Sequence, residues 1–298
     1  MKTTKLTIIA LALISLASCG KNKGNADASG NFEATEVIVS SQANGQIMAL
    51  NIIEGQTVEM NKPVGYIDTT QLHLKRIQLQ ASLKAIDSRF YDVSKQIAAT
   101  NQQITKQKTE LQRFENLLQS NAATQKQVDD INAQIIILQK QLAAQTETLE
   151  NNNRSVSGES AALVAQIKQI EDLISKSIIS SPISGTVLSK YAEQGEITMQ
   201  GKALFKVADI NNMFLRAYIT SDQIAQLKLG QEVSVFVDSG DKKMKEYPGT
   251  ITWISDKAEF TPKTIQTRNE RANQVYAVKI AVKNDGFLKI GMYGEVHL

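Results

Sequence analysis

Few residues in this 298-residue chain have the type and spacing for chemistry. Cys19 carries its only thiol, so no intramolecular disulfide can form. The two histidines, His73 and His297, stand at opposite ends of the folded part, without ligands at the spacings a metal needs. Asp129 and Asp130 form a carboxylate pair, but they fall in the expected first turn of a helix, where the helix dipole alone favours acids. No G-x-S-x-G, Walker loop or G-x-G-x-x-G occurs. The chain therefore offers no candidate catalytic group, metal-ligand set or cofactor cradle.

The position of Cys19 gives its sulfur another use. Lys2 and Lys5 precede an apolar run from Leu6 to Leu16, about as long as a signal h-region and too short to span a bilayer. The run ends in Leu16-Ala17-Ser18-Cys19, which resembles a bacterial lipobox, where cleavage precedes the cysteine and its sulfur receives diacylglycerol. Residues 1–18 are thus expected to be a lipoprotein signal peptide, and the small polar stretch 19–32 a flexible tether. Loss of the leader removes two of 33 basic residues against 30 acidic ones, which leaves no electrostatic case for nucleic acid. No later segment holds a bilayer-length apolar run, so acyl chains would be the only membrane attachment encoded.

One pattern is written twice. Gly45-Gln46-Ile47 leads through Glu54-Gly55-Gln56-Thr57-Val58 to Val64-Gly65-Tyr66-Ile67-Asp68. Gly185-Thr186-Val187 leads through Gln194-Gly195-Glu196-Ile197 to Leu204-Phe205-Lys206-Val207-Ala208-Asp209. Both copies read as short β-branched strands punctuated by glycine, the two halves of one small β-domain.

Between the copies the period changes from strand-like to helical. From Leu72 a 4-3-4-3 grid holds Leu79, Leu83, Ile86, Phe90, Val93, Ile97, Ile104, Leu111, Phe114 and Leu118. A second grid runs from Val128 through Ile135, Leu142, Leu149, Val156 and Leu163 to Leu173, with polar exceptions at Gln145, Asn152, Glu159 and Gln166. A period of 3.5 residues kept this long predicts a left-handed coiled coil. Ser120–Thr124 is short enough to force an antiparallel return, and Thr124 with Gln127 fits a capping box. Asn151–Gly158, poor in helix formers, is expected to bend or fray the returning helix.

After Phe214 strand patterns resume, with turns at Leu229-Gly230, Ser239-Gly240 and Asn284-Asp285-Gly286, which suits a small antiparallel barrel. The expected fold is an elongated α+β multidomain chain. Its parts are a strand at 33–41, a lipoyl-like half at 42–69, a helical hairpin at 70–178 with its tip near 119–125, a second half at 179–209, a barrel at 210–258 and a terminal β-region at 259–298.

Each copy resembles half of a biotinyl/lipoyl carrier domain. In carriers the turn between the halves holds the modified lysine, usually beside methionine. Here the hairpin replaces that turn, with Asp68 leading in and Ile178-Ile179-Ser180 leading out, and no Met-Lys pair stands at either junction.

The order of lipobox, half-domain, hairpin, half-domain, barrel and terminal strands resembles the HlyD family of periplasmic adaptors, or membrane fusion proteins, over residues 33–298. Phe260-Thr261-Pro262-Lys263-Thr264-Ile265-Gln266-Thr267-Arg268 and Leu288-Lys289-Ile290-Gly291-Met292 are similar to the YbhG-type adaptors of ABC exporters. The resemblance implies a non-catalytic bridge, without cofactor, between an inner-membrane transporter of ABC type and a TolC-like outer-membrane channel. It further implies a homo-oligomer, a hexameric ring or funnel, lipid-anchored in the periplasm of a Gram-negative envelope with the 33–41 and 259–298 strands near the membrane. Gly20 stands where an aspartate favours inner-membrane retention in enterobacterial lipoproteins.

Adaptors that dock onto such channels carry Arg, then Leu four residues on and Ser seven further, at the hairpin tip. This chain has Arg113, Leu117 and, in place of the serine, Thr124. A guanidinium and a hydroxyl there can meet carbonyls or carboxylates of a partner coiled coil. Taken as residues alone, Leu117 is packing and Thr124 an N-cap, and the two roles of Thr124 can coexist. The heptads alone also fit a coiled-coil spacer lipoprotein of the envelope, and the half-domains a biotinyl/lipoyl carrier.

Overall fold

The computed structural model describes residues 26–240, 243–259 and 275–298. Cys19, the leader and the Phe260–Arg268 segment lie outside them. In chain order the elements are β1 (Ala28–Ser40), β2 (Gly45–Leu50), β3 (Thr57–Val58), β4 (Pro63–Ile67), α1 (Thr70–Asp87), α2 (Val93–Gln119) and α3 (Gln125–Lys176). Then follow β5 (Ile178–Ser180), β6 (Gly185–Lys190), β7 (Ile197–Thr198), β8 (Ala203–Thr220), α4 (Ser221–Ile224), β9 (Glu232–Asp238), β10 (Met244–Glu259), β11 (Val275–Lys283) and β12 (Tyr293–His297).

The two glycine-punctuated copies make one β-sandwich by exchanging strands. One sheet runs β5-β4-β2-β7, and the other is built from β1, β8, β6 and β3. Gly45 pairs with Thr198 and Val58 with Gly185, so each copy completes the other's sheet. The repeat is exact in register: Ile47 faces Ile67 and Val187 faces Val207, each residue 140 positions from its counterpart, as Gly45 is from Gly185. The Gly55 N–H donates to the Val187 carbonyl and the Gly195 N–H to that of Ile47, both at 2.8 Å. Both glycines sit at positive φ, 84° and 93°, where a side chain would strain the backbone. The shared core takes Ile47, Ile67 and Val58 from the first copy and Val187, Leu204 and Val207 from the second, all nearly fully buried. Burial of that kind is worth about 1.5–3 kcal/mol per large aliphatic side chain, and neither half can collect it alone.

A second β-unit follows. The order β1-β12-β9-β10-β11-β8 closes on itself because β1 also pairs with β8, which makes a six-stranded barrel. Strand alternation fills it: Val233, Val235 and Val237 point in from β9, and Met213, Leu215 and Ala217 from β8. Residues 28–34 of β1 belong to the barrel, whereas 35–40 lie beside 203–209 in the sandwich, so β1 and β8 run as a spine through both units. Residues 275–298, set apart by sequence as a terminal region, supply two of the six staves. β1 and β8 fit closely at Gly30, where a Cβ would stand 1.8 Å from the Arg216 carbonyl oxygen, so no side chain is admitted.

The helical insertion is a hairpin whose α3 packs against both α1 and α2. Two expectations for it need correction. The Asn151–Gly158 stretch does not break: α3 is one 52-residue helix. The interruption lies opposite, in the ascending arm, where α1 ends at Asp87 and α2 begins at Val93. Phe90, on the ascending grid, is therefore cast outward and is 45% exposed. Asp129 and Asp130 also fall one turn past the start of α3, beyond the first turn.

The seam of α3 explains the break. After Leu149 the inward residues are Asn153, Val156, Ser160, Leu163 and Ile167, not Asn152, Glu159 and Gln166. Gln145, Leu149, Asn153 and Val156 give a 4-4-3 spacing, which locally unwinds a left-handed coil. The thirteen steps from Asp87 to Thr100 run beside fifteen of α3, between their hydrogen-bond partners Ser160 and Gln145. A continuous helix would fall short by about 3 Å; the non-helical link makes up the difference.

Candidate docking site

At the tip, α2 ends in a Schellman turn. The Ala122 N–H donates to the Leu117 carbonyl at 2.8 Å and the Asn121 N–H to that of Leu118 at 3.0 Å. Asn121 takes the left-handed conformation this requires, with φ 57°. The Ser120 hydroxyl donates to the Leu117 carbonyl as well, at 2.9 Å. Three residues on, Thr124 caps α3: Gln127 Oε1 accepts from the Thr124 N–H at 2.8 Å and from its hydroxyl at 3.0 Å. The tip is thus a tight, hydrogen-bonded turn.

Arg113 and Leu117 lie one helical turn apart on α2, and Thr124 stands across the turn. The Arg113 side chain is 70% exposed and its one ionic neighbour among the described residues, Glu110, is a loose 3.7 Å away. Such a pair contributes little in water, which leaves the guanidinium available. Leu117 is half-buried and Thr124 exposed. The hydroxyl proton of Thr124 is engaged by Gln127, so toward a partner it offers acceptor lone pairs.

Below the tip, Thr100 Oγ1 donates to Gln145 Oε1 at 3.2 Å inside the seam. One polar pair at inward positions fixes coiled-coil register at some cost in stability. Farther down, the break is held by side chains of α3. Asn153 bonds the Tyr91 backbone twice, Arg89 meets Glu159 at 2.8 Å and Ser160 donates to Asp87 at 2.9 Å. Asp92 caps α2 by accepting from the Lys95 N–H. Sequence reading missed this constellation. Its signal was the row of polar exceptions at Asn152, Glu159 and Gln166, seven apart, which marks a seam displaced by one residue.

The base carries a second missed surface. Across the outer face of the β5-β4-β2-β7 sheet run Ile178, Tyr66, Ala49, Gln46 and Ile197, with Ile197 76% exposed. Their counterparts 140 positions away, Ile38, Lys206, Ser189, Thr186 and Thr57, form the matching face of the other sheet. There Lys206 is ion-paired to Glu36 at 2.9 Å. Equal backbones thus carry one apolar face and one polar face, a contrast the fold itself does not demand.

The titratable groups have structural work. Asp285, in the turn before β12, is held down to about 2 by hydrogen bonds from the Lys245 ammonium and the Phe287 N–H. Burial raises the neighbouring Tyr247 hydroxyl, which donates to Asp285 at 3.0 Å. His297 meets Phe236 edge-on, with ring centroids 5.0 Å apart, and stands 3.9 Å from Asp27. Among the described residues no group of three His, Cys, Asp or Glu could hold a metal ion, and no helix is long and apolar enough to cross a membrane.

Comparison with known proteins places these features. A family model described as "RND MFP, barrel-sandwich hybrid domain" matches residues 35–210, the sandwich with its hairpin. A "UPF0194 membrane protein" of Yersinia pseudotuberculosis is 36% identical over 116 residues, 39% of this chain and 35% of that protein. The match thus spans about a third of that relative's length. The "UPF0194 membrane protein YbhG" of Salmonella arizonae is 25% identical over 286 residues, covering 88% of this chain and 85% of the relative. Among solved structures, MacA from Actinobacillus actinomycetemcomitans superposes with a TM-score of 0.53 at 20% identity, over 91% of this chain and 78% of its own, which is a likeness of fold.

Proposed function

The chain belongs to the RND-type membrane fusion protein family with a barrel-sandwich hybrid domain, and from that premise we propose that it is the periplasmic adaptor of a tripartite exporter. It bridges an inner-membrane transporter of ABC type to a TolC-like outer-membrane channel and catalyses nothing itself. The lipid on Cys19 anchors it at the inner membrane, and the barrel, which includes residues 28–34 and 275–298, sits toward the transporter, whereas 35–40 belong to the sandwich. Arg113, Leu117 and Thr124 dock the tip on the channel.

The observation that carries this reading is the interlocked collar: both feet of the hairpin leave one β-sandwich with a common core. A 52-residue helix extends on the order of 78 Å, so the tip is held far from the base on a long helical arm. That geometry suits a spacer between two membranes. The apolar face through Tyr66 and Ile197 supports side-by-side packing of copies, as in a hexameric ring.

Cysteine placed at Ala122 or Gln125 of the lipidated protein in cells tests the reading. Crosslinks to an outer-membrane channel are expected. Crosslinks only between copies of the chain would overturn the bridge and leave a spacer lipoprotein.

A further inference from the structure

The two arms of the hairpin are weak at the same level, for separate reasons. On the ascending side residues 88–92 are non-helical, although they contain neither proline nor glycine. On the returning side α3 passes through Asn151-Asn152-Asn153-Arg154-Ser155-Val156-Ser157-Gly158 without a break. Six of these eight residues are Asn, Ser or Gly, which favour helix poorly. Apart from Asn153, packing does not ask for them. Ser155 and Ser157 are exposed, and a Cβ built on Gly158 would meet nothing within 4 Å. Alanine would fit at Gly158 and would favour the helix by about 1 kcal/mol. The 4-4-3 spacing leaves the coil locally unwound here too.

We propose that this level is a hinge: the outer half of the hairpin, with its tip, bends here relative to the base half, and Asn153 is the latch that holds it straight. The Asn153 side chain grips the Tyr91 backbone by donating to its carbonyl and accepting from its N–H, each at 2.8 Å. The Arg89–Glu159 pair and the Asp87–Ser160 bond fasten the end of α1 on the base side. Between the two sets of contacts the ascending chain is a short link, which can change direction without breaking helical hydrogen bonds. The strained member in bending is α3, and it yields where its own residues contribute least to the helix. The hinge does not depend on what the tip touches.

Nitroxide labels at Lys140→Cys and Lys168→Cys test it in the full chain carrying Cys19→Ser, which leaves two thiols. Both lysines are exposed and lie 28 residues apart on α3, on either side of the stretch. Pulsed dipolar spectroscopy reads the spread of the distance between them. The same labels in a Ser155→Ala, Ser157→Ala, Gly158→Ala variant are expected to give a spread roughly half as wide. Equal spreads in the two proteins would overturn the hinge, and this arm needs only helix-favouring changes. Asn153→Ala is expected to widen the spread beyond that of the unaltered chain. An unchanged spread in folded Asn153→Ala protein would overturn the latch.

Discussion

Asn153 treats the backbone of Tyr91 as a neighbouring strand would, giving a hydrogen bond to its carbonyl and taking one from its N–H, both 2.8 Å long. The pair satisfies two main-chain groups that the end of helical structure leaves without partners. It does so from a residue that, in sequence, looked like a flaw in the opposite helix.

The internal repeat makes a stability prediction at Thr198. Its hydroxyl is fully buried and has no hydrogen-bond partner among the described residues. The counterpart 140 positions earlier is Val58, nearly the same shape without the hydroxyl. Thr198→Val is expected to stabilise the sandwich by about 1 kcal/mol, by removing an unsatisfied buried group. Val58→Thr should destabilise it by a similar amount. Urea unfolding midpoints measure both.

At the tip, Asn121→Val forces a β-branched residue into left-handed backbone and should cost about 1–2 kcal/mol locally. Asn121→Gly should be neutral or slightly stabilising. Amide exchange at Leu117–Ala122 distinguishes them: fast in the valine variant, unchanged or slower with glycine.

For docking, Arg113→Asp is expected to abolish export while leaving the melting temperature unchanged, since Arg113 is exposed and its ion pair with Glu110 is loose. Export measured in cells at wild-type level would remove Arg113 from the docking site.

The two faces of the sandwich give an internally controlled test of assembly. Ile197→Lys on the apolar face should weaken self-association at least tenfold, as about 1.4 kcal/mol of lost burial would. Thr57→Lys, at the matching position of the polar face, should leave it unaltered. Sedimentation equilibrium at several concentrations reads both.

The turn before β12 predicts acid sensitivity. Asp285 has its carboxyl depressed from 3.8 to about 2, so its stabilising contribution is full above pH 4 and fades as pH falls toward 2. Asp285→Asn should therefore melt lower than the wild type at pH 6 and approach it near pH 2. A difference that stayed constant across that range would refute the assignment.

How much of this was legible depended on the range of the signal. The repeat was readable because Gly55 and Gly195 must each occupy positive φ, and such glycines mark turns locally. The coiled coil was readable because apolar residues recur every 3.5 positions through Ile104 and Ile135. The place of the break was not. The ascending grid runs unbroken through Ile86, Phe90 and Val93, and the polar exceptions lie on the opposite arm; the gap arises from the pairing of thirteen steps with fifteen. The closure of the barrel by β1 against β12 joins residues some 260 positions apart, beyond any local pattern. For the proposed site, Arg113, Leu117 and Thr124 are named by the resemblance to channel-docking adaptors, whereas the apolar face needed the register that sets Tyr66 beside Ile178.

The exchange of strands within the sandwich also dictates an order of folding. When the first copy leaves the ribosome, the strand partners at Gly185 and Thr198 have not yet emerged. Its glycine-rich edges must wait through the passage of the whole insertion. An unstructured loop of that length would make the later encounter slow, because closure entropy must be met before distant pairs form. Helix formation and zippering of adjacent arms rest on nearer contacts, and they bring Ile67 and Ser177 to within hydrogen-bond range before the second copy folds. The hairpin is the chain's own assembly jig, and a change that delays its closure should appear first as a poor yield of folded protein.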